Sequence, residues 1–363
     1  MEFKEVVKNF DINANLVEIR PMGNGHINST YAVICDKEKY VLQEINTAVF
    51  KNPHVVMNNI FRVTEYLRNI IKDSGGDTSR EVLNFIRTKD GSELYKTDDN
   101  KFYRMYKMVE NVESYEKVEK PEHFFNAAAA FGKFQKQLAD FKCDYLKTTI
   151  PKFHDTVDRM NQLEEAISED TMDRVALCEN EIKFIRERKT SIGLVLDGLR
   201  DGSIKERVTH NDTKFNNILL DSKTGKSVCI IDLDTVMPGS ALYDFGDAIR
   251  FGASTAEEDE RDLSLVTIDL NLFRAYVSGF LSEVRNCLTD RELELMAYSA
   301  WLMTIEVGMR FLSDFFNGDV YFKTSCKDQN LYRARNQLKL AYEMEKNMVS
   351  MNQIVEAEIN KYS

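Results

Sequence analysis

Near residue 110 the chain changes texture, and few architectures accommodate both halves. From residue 16 to about 109 the segments LVEIR, TYAVIC, KYVLQEI, EVLNFIRT, SELYK and KFYRMYKMV read as strands, separated by the turn signals DKEK, KDG and TDDN. One helix interrupts them: Met57, Ile60, Phe61, Leu67, Ile70 and Ile71 fall near helical spacing, and the pattern stops at Ser74-Gly75-Gly76. After about residue 115 long helices take over. Phe124, Ala128, Phe131, Leu138 and Phe141 form one stripe, and further helical segments are expected at about 155 to 168, 173 to 189, 289 to 315 and 330 to 360. Two short β pieces, NILLD and VCIIDLD, lie among them. The expectation is an α+β chain of two lobes: residues 1–108 as a small antiparallel sheet with one main helix, and residues 109–363 as a larger, mainly helical lobe. The segment 106–115 would be the hinge, with a cleft between the lobes.

Composition narrows the partners. The 363 residues are 43% hydrophobic, enough to bury a sizeable core, and 59 acidic against 48 basic residues leave a net charge of −11. That balance argues against a general electrostatic grip on nucleic acid. The first ten residues, MEFKEVVKNF, hold no uninterrupted apolar run, and no stretch approaches a membrane span. A cytoplasmic protein with access to ATP and magnesium is expected, with no obligate protein partner implied. Cysteines at 35, 143, 178, 229, 287 and 326 form no CxxC pair and are expected as reduced, mostly buried thiols.

The chemistry concentrates in VTHNDTKFNNILLD, residues 208 to 221. Here Asp212, Lys214 and Asn217 form D-x-K-x-x-N ahead of an apolar strand. Phosphoryl transfer needs a carboxylate that accepts the nucleophile's proton and a side-chain oxygen on the same loop for a metal, and this arrangement supplies both. In VCIIDLDTVMPG, Asp232 ends a second apolar strand. The turn SKTGKS would join the two strands as a hairpin, allowing Asn217 and Asp232 to share Mg²⁺. Each pattern is weak when taken singly; their combination with an upstream β-lobe favours a site over ordinary turn and cap residues. His210 is read as holding the loop by hydrogen bonds. Asp244 and Asp247, in ALYDFGDAIRFGAS, either orient the loop, line an acceptor pocket or cap a helix.

At the head of the β-lobe, Gly23 and Gly25 in PMGNGHINSTYAVI would let backbone approach phosphates, although a plain turn explains them equally well. Gln43, in KYVLQEIN, stands where protein kinases carry a lysine. Another group must then neutralise the phosphates, with Lys214 a candidate, and Glu65 is left without an obvious ion-pair partner. Met108 and Val109, at the hinge, complete the candidate nucleotide-binding positions.

HNDTKFNNILLD, IDLDTVMPGSALYDFGDAIRFGAS and MGNGHINSTY resemble the N-acetylhexosamine 1-kinases, a branch of the aminoglycoside phosphotransferase and choline kinase superfamily. The similarity extends to FHDT at 153 to 156, LDGLRDGSI at 196 to 204 and GMRFLSDFFNGDVYF at 308 to 322. The resemblance implies a protein-kinase-like fold and transfer of phosphate from ATP to the anomeric hydroxyl of N-acetylglucosamine or N-acetylgalactosamine. It further implies Asp212 as proton acceptor, Asn217 and Asp232 as magnesium ligands, and Arg310 and Tyr321 as sugar contacts. Without it, Arg310 reads equally as a surface ion-pair residue and Tyr321 as core. Phe251 is an aromatic that could cover the sugar ring.

Three other readings compete. A kinase of the same fold could act on an aminoglycoside, choline or another small alcohol; a polycationic acceptor would draw on the acidic run 257 to 262, EEDERD, which reads as a solvated helix face. A catalytically silent nucleotide-binding module would explain Gln43 but not the complete set of Asp212, Asn217 and Asp232. A metal-dependent hydrolase built on His210, Asp212, Asp232 and Asp234 leaves the β-rich half unexplained.

Overall fold

The computed structural model describes residues 3–22, 27–115, 117–118 and 120–362. They cluster into two units: Met1–Glu113 with Asp140–Pro151 and Ile218–Pro238, and Ser114–Ala139 with Lys152–Asn217 and Gly239–Ser363. The segment that carries Asp232 therefore clusters with the N-terminal strands.

In the first unit, strands β1 (Leu16–Pro21), β2 (Ser29–Cys35), β3 (Lys39–Ile45), β4 (Phe85–Ile86), β5 (Tyr95–Lys96) and β6 (Phe102–Lys107) form one antiparallel sheet in the order β1-β2-β3-β6-β4, with β5 also on β6. Alternation gives the sheet two faces. Val33, Tyr40, Leu42, Tyr103 and Met105 point to one side, where Val6, Val7 and Phe10 from the N-terminal residues cover them. The intervening residues face helix α2, taking the short N-terminal helix Phe3–Val7 as α1 and Pro53–Asp73 as α2. Phe102 meets His54, and Arg104 meets Met57. Helix α2 begins where Asn52 caps the Val55 amide and Pro53 fixes the first turn. The expected strands in EVLNFIRT and SELYK shrink to two residues each, because only those pair with β6.

Asn59 on α2 fastens the two later segments to this unit. Its side chain exchanges two bonds with the Lys147 backbone, at 2.6 and 3.0 Å, and donates to the Val236 carbonyl at 2.9 Å. The strand Ile218–Asp221 pairs with Ser227–Ile230 as the anticipated hairpin and, on its other edge, with β7 (Val112–Glu113).

The second unit is helical. It contains α3 (Pro121–Gln137), α4 (Thr156–Glu169), α5 (Glu179–Arg186), α6 (Leu194–Asp201), α7 (Ala241–Gly252), α8 (Leu270–Val284), α9 (Asp290–Glu294), α10 (Met296–Phe316) and α11 (Gln329–Lys361). Helix α10 is apolar nearly all round and buried along most of its length, packed by α4, α7 and α11. The helix anticipated over 289–315 is two, divided at Leu295, and its start is fixed by a capping box of Thr289 with Glu292. Helices α6, α7 and α8 went unanticipated, although Ser240 and Asp269 are visible N-caps for α7 and α8. At Gly246 and Gly279 close backbone approaches leave no room for a side chain. A Cβ on Gly246 would lie 2.3 Å from the Ser299 carbonyl oxygen, and one on Gly279 2.3 Å from that of Phe125. Residues 257–262 form turns rather than the expected helix face: the run holds no apolar residue for a helix to bury, and Glu258 turns in to Arg250.

Candidate active site

Within the second unit, the strand Arg207–Thr209 leads into the loop that carries Asp212. Arg207 is anchored by a buried pair with Glu292, at 3.1 and 2.9 Å. Asp244, on α7, organises this loop: its carboxylate accepts from the backbone amides of His210 (3.0 Å) and Asn211 (2.7 Å) and from Gln135 Nε2 (2.7 Å). Thr213 Oγ1 donates to the Asp244 carbonyl at 2.5 Å. Burial pushes the Asp244 carboxyl up, while the bonds it accepts and His210 act to lower it. Of the roles open to Asp244, the structure thus shows loop orientation. His210 packs its ring against Phe131 and Phe134, and its Nδ1 accepts from the Asp212 amide at 3.3 Å.

The backbone turns at Asn211, whose φ of 63° is left-handed, and presents a half-buried Asp212. Lys214 Nζ lies 3.1 Å from Asp212 Oδ1. Asn217 Nδ2 donates to the Asp212 carbonyl at 2.8 Å and to Oδ2 at 3.3 Å, so both bonds use the amide nitrogen and neither uses the amide oxygen. Burial alone would raise the Asp212 carboxyl; Lys214, His210 and Arg250 outweigh it and hold it below its ordinary value. The same pairing pushes Lys214 up to about 12. Asp247 does not touch the loop backbone but binds Arg250 at 2.9 Å, and Arg250 continues to Glu258 at 2.7 Å. Phe251 lines the cavity beside Arg250 and Glu258.

A separate cavity of about 190 Å³ in this unit is lined by Arg159, Arg310, Ser313, Asp314, Tyr321 and Phe322, among others. Arg310 Nη2 and Tyr321 Oη are 3.5 Å apart. Asp314 sets the far wall by accepting from the backbone amides of Val320, Tyr321 and Phe322, at 3.0, 2.8 and 2.9 Å. From this cavity a buried chain runs back to the loop. Arg310 lies 3.9 Å from Glu306, Glu306 Oε1 is 3.0 Å from His154 Nδ1, and His154 Nε2 is 3.3 Å from the Asn211 carbonyl. Arg310 and Tyr321 are therefore brought together, and Phe251 is not with them.

In the first unit, Asp232 follows the strand Ser227–Ile230 and adopts a left-handed φ of 59° at the start of the turn Leu233–Thr235. Gln43 on β3 donates to Thr30 at 3.1 Å and accepts from Arg104 Nε at 2.9 Å. Glu65 is exposed on α2, and the Met108 amide prolongs the ladder by donating to the Lys39 carbonyl at 2.9 Å, with Val109 half-buried after it. Gly23 and Gly25 lie outside the described residues. Sequence reasoning singled out neither Arg104 nor the pair of His154 and Glu306. A charge among the inward-facing residues of KFYRMYKMV was the one local signal for Arg104; FHDT held His154 without indicating a role.

A small antiparallel sheet with one main helix, and a larger helical unit carrying a D-x-K-x-x-N loop, define the protein-kinase-like fold. Within that class, the pattern describing the phosphotransferase enzyme family matches residues 18–270, and the chain belongs to this family. Similar solved structures include an aminoglycoside phosphotransferase from Alicyclobacillus acidocaldarius, with a TM-score of 0.63 over 98% of this chain and 97% of that one at 14% identity. A microcompartment-associated aminopropanol kinase gives 0.58 over 96% and 98% at 14% identity. An ethanolamine kinase from Plasmodium vivax gives 0.55 over 93% and 85% at 13% identity. At these identities the likeness is one of fold. No described helix is long and apolar enough to cross a membrane.

Proposed function

We propose that the protein transfers the γ-phosphoryl group of ATP to the anomeric hydroxyl of an N-acetylhexosamine, N-acetylglucosamine or N-acetylgalactosamine, releasing the sugar 1-phosphate and ADP. Family membership supports phosphotransfer, and the resemblance of GMRFLSDFFNGDVYF and FHDT to the N-acetylhexosamine 1-kinases supports the acceptor. The observation that carries the reading is the cavity of Arg310 and Tyr321, tied through Glu306 and His154 to the carbonyl next to Asp212. Two guanidinium groups, Arg159 and Arg310, line it, while the carboxylate of Asp314 in the same wall is taken up by three backbone amides. A polycationic aminoglycoside or a choline would meet like charge there, whereas a neutral sugar offers oxygens that arginine and tyrosine donors can bind.

In this reading Asp212 aligns the anomeric hydroxyl and takes its proton late in the transfer. The ring oxygen makes that hydroxyl more acidic than other sugar hydroxyls, so a carboxylate held low suffices. Lys214 stays cationic beside it and balances phosphate charge. Asn217 and Asp232 offer hard oxygen donors of the kind Mg²⁺ takes, and because Asn217 binds the loop through its amide nitrogen, its amide oxygen is left for that role. Bound magnesium would neutralise charge on the β- and γ-phosphates. Gly23, Gly25, Gln43, Met108 and Val109 remain the proposed nucleotide contacts.

The test is incubation with Mg-ATP and a panel of free sugars, aminoglycosides and choline, following ADP release and locating the phosphorylated carbon by NMR. Phosphate at C1 of the N-acetylhexosamines is expected, with no product from their methyl glycosides. Product from a methyl N-acetylhexosaminide would mean that another hydroxyl attacks and would overturn the anomeric reading.

A further inference from the structure

The uncharged Gln43 raises the question of where the sheet keeps its cation. Arg104 stands directly opposite Gln43 in the β3–β6 ladder, and alternation turns both towards α2. Its side chain is 2% exposed. Nε donates to Gln43, and Nη1 donates to Asp234 and faces Met57 Sδ at 3.8 Å. In contrast to a lysine paired with a helix glutamate, this cation meets a methionine on α2 and takes its carboxylate from the segment that carries Asp232.

Asp234 is held from a second direction as well. Asn28 Nδ2 donates to Oδ2 at 2.5 Å, while Asn28 Oδ1 accepts from the Asn46 amide at 3.0 Å. Both oxygens of Asp234 are thus tied to the sheet. Asp232 lies two residues earlier, in a left-handed conformation that the surrounding turn must hold. A buried ion pair is a weak stabiliser compared with apolar side chains of equal volume, but it fixes direction. Direction is what a carboxylate presented to a metal requires.

We propose that Arg104 is a positioning residue for the nucleotide-bound metal: through Asp234 it locks the turn that presents Asp232. The inference rests on the reading of the protein as a magnesium-dependent phosphotransferase. It assigns to Arg104 the place that a strand lysine would otherwise fill, with its effect delivered through the metal carboxylate and not by its own contact with phosphate.

Calorimetric binding of ADP with and without magnesium, in the absence of any acceptor, tests it. Arg104→Met is expected to lower the affinity for Mg-ADP by at least about tenfold while changing the magnesium-free affinity little, and Arg104→Lys is expected to recover part of the loss. Because Arg104→Met leaves Asp234 buried and unpaired, the double variant Arg104→Met/Asp234→Leu is measured too. It should regain stability to urea without regaining magnesium-dependent affinity. Wild-type Mg-ADP affinity in the double variant would show that the pair only neutralises itself and would overturn the inference alone. Failure of the wild-type protein to bind Mg-ADP would overturn the proposed function, and this inference with it.

Discussion

The imidazole of His154 stands between two acceptors, Glu306 Oε1 at 3.0 Å from Nδ1 and the Asn211 carbonyl at 3.3 Å from Nε2. The Asn211 carbonyl can only accept, so the hydrogen bond on that side is donated by Nε2. Burial alone would raise the Glu306 carboxyl; His154, Arg310 and Arg159 outweigh it and hold it low. Glu306 therefore stays a carboxylate facing Arg310. One buried pair thus joins the wall of the cavity to the residue before Asp212.

Replacement of His154 by Gln should move the loop relative to the cavity while leaving both present. Misplacement of a reacting group by about 1 Å costs up to about 10²-fold, so kcat is expected to fall by one to two orders of magnitude. The KM for ATP should change less than kcat, since the nucleotide contacts proposed in the first unit are untouched by the chain of Arg310, Glu306 and His154. Steady-state kinetics with each substrate varied decide this; equal losses in both KM values would indicate general unfolding instead.

Asp212→Asn should lower turnover by about 10²–10⁴-fold, the usual worth of a general base, with ADP affinity nearly intact. Retention of near-wild-type turnover would remove Asp212 from the chemistry.

Lys214→Met should shift the acid limb of the pH–rate profile. With Lys214 present, the Asp212 carboxyl titrates below its ordinary value of about 3.9. The pair's contribution to stability is therefore present above about pH 3.9 and lost as pH falls through the lower folded value. On the alkaline side Lys214, pushed up to about 12, contributes fully below its ordinary value of about 10.4 and loses that contribution as pH rises through about 12. Without the ammonium, burial remains and the carboxyl rises, so the acid limb moves to higher pH. An unmoved limb in the pH dependence of kcat would show that another group sets it.

Arg310→Ala should lower kcat/KM for the sugar by about one to two orders of magnitude, the equivalent of roughly 1–3 kcal/mol for acceptor oxygens left unpaired in a desolvated cavity. Nucleotide affinity should be unchanged, and a parallel loss of ATP affinity would argue that Arg310 supports the fold and not the acceptor.

Gly246→Ala probes the packing that holds Asp244 over the loop. The added methyl would lie 2.3 Å from the Ser299 carbonyl oxygen, so α7 must move off α10 at a cost of about 1–3 kcal/mol in urea unfolding. Unchanged stability would mean that the two helices separate freely there.

The sequence by itself determined the elements whose signals are local. Alternation in KYVLQEI and KFYRMYKMV, the 3.6-residue stripe from Met57 to Ile71, and the spacing of Asp212, Lys214 and Asn217 are written within a few residues of one another, and so the sheet, α2 and the loop were legible. Only the tertiary structure decided the rest. Helix α7 is buried nearly all round, so no polar face marks it, and its glycines and aspartates read as loop chemistry until α10 packs against Gly246. The partner of Arg104 is 130 residues away and that of His154 is 152 residues away, and no local pattern encodes such pairings. A buried charge must find its counter-charge wherever the folded chain brings one, because leaving it unpaired costs several kcal/mol; the sequence shows that a charge lies in a strand or a loop, and the fold determines which carboxylate answers it.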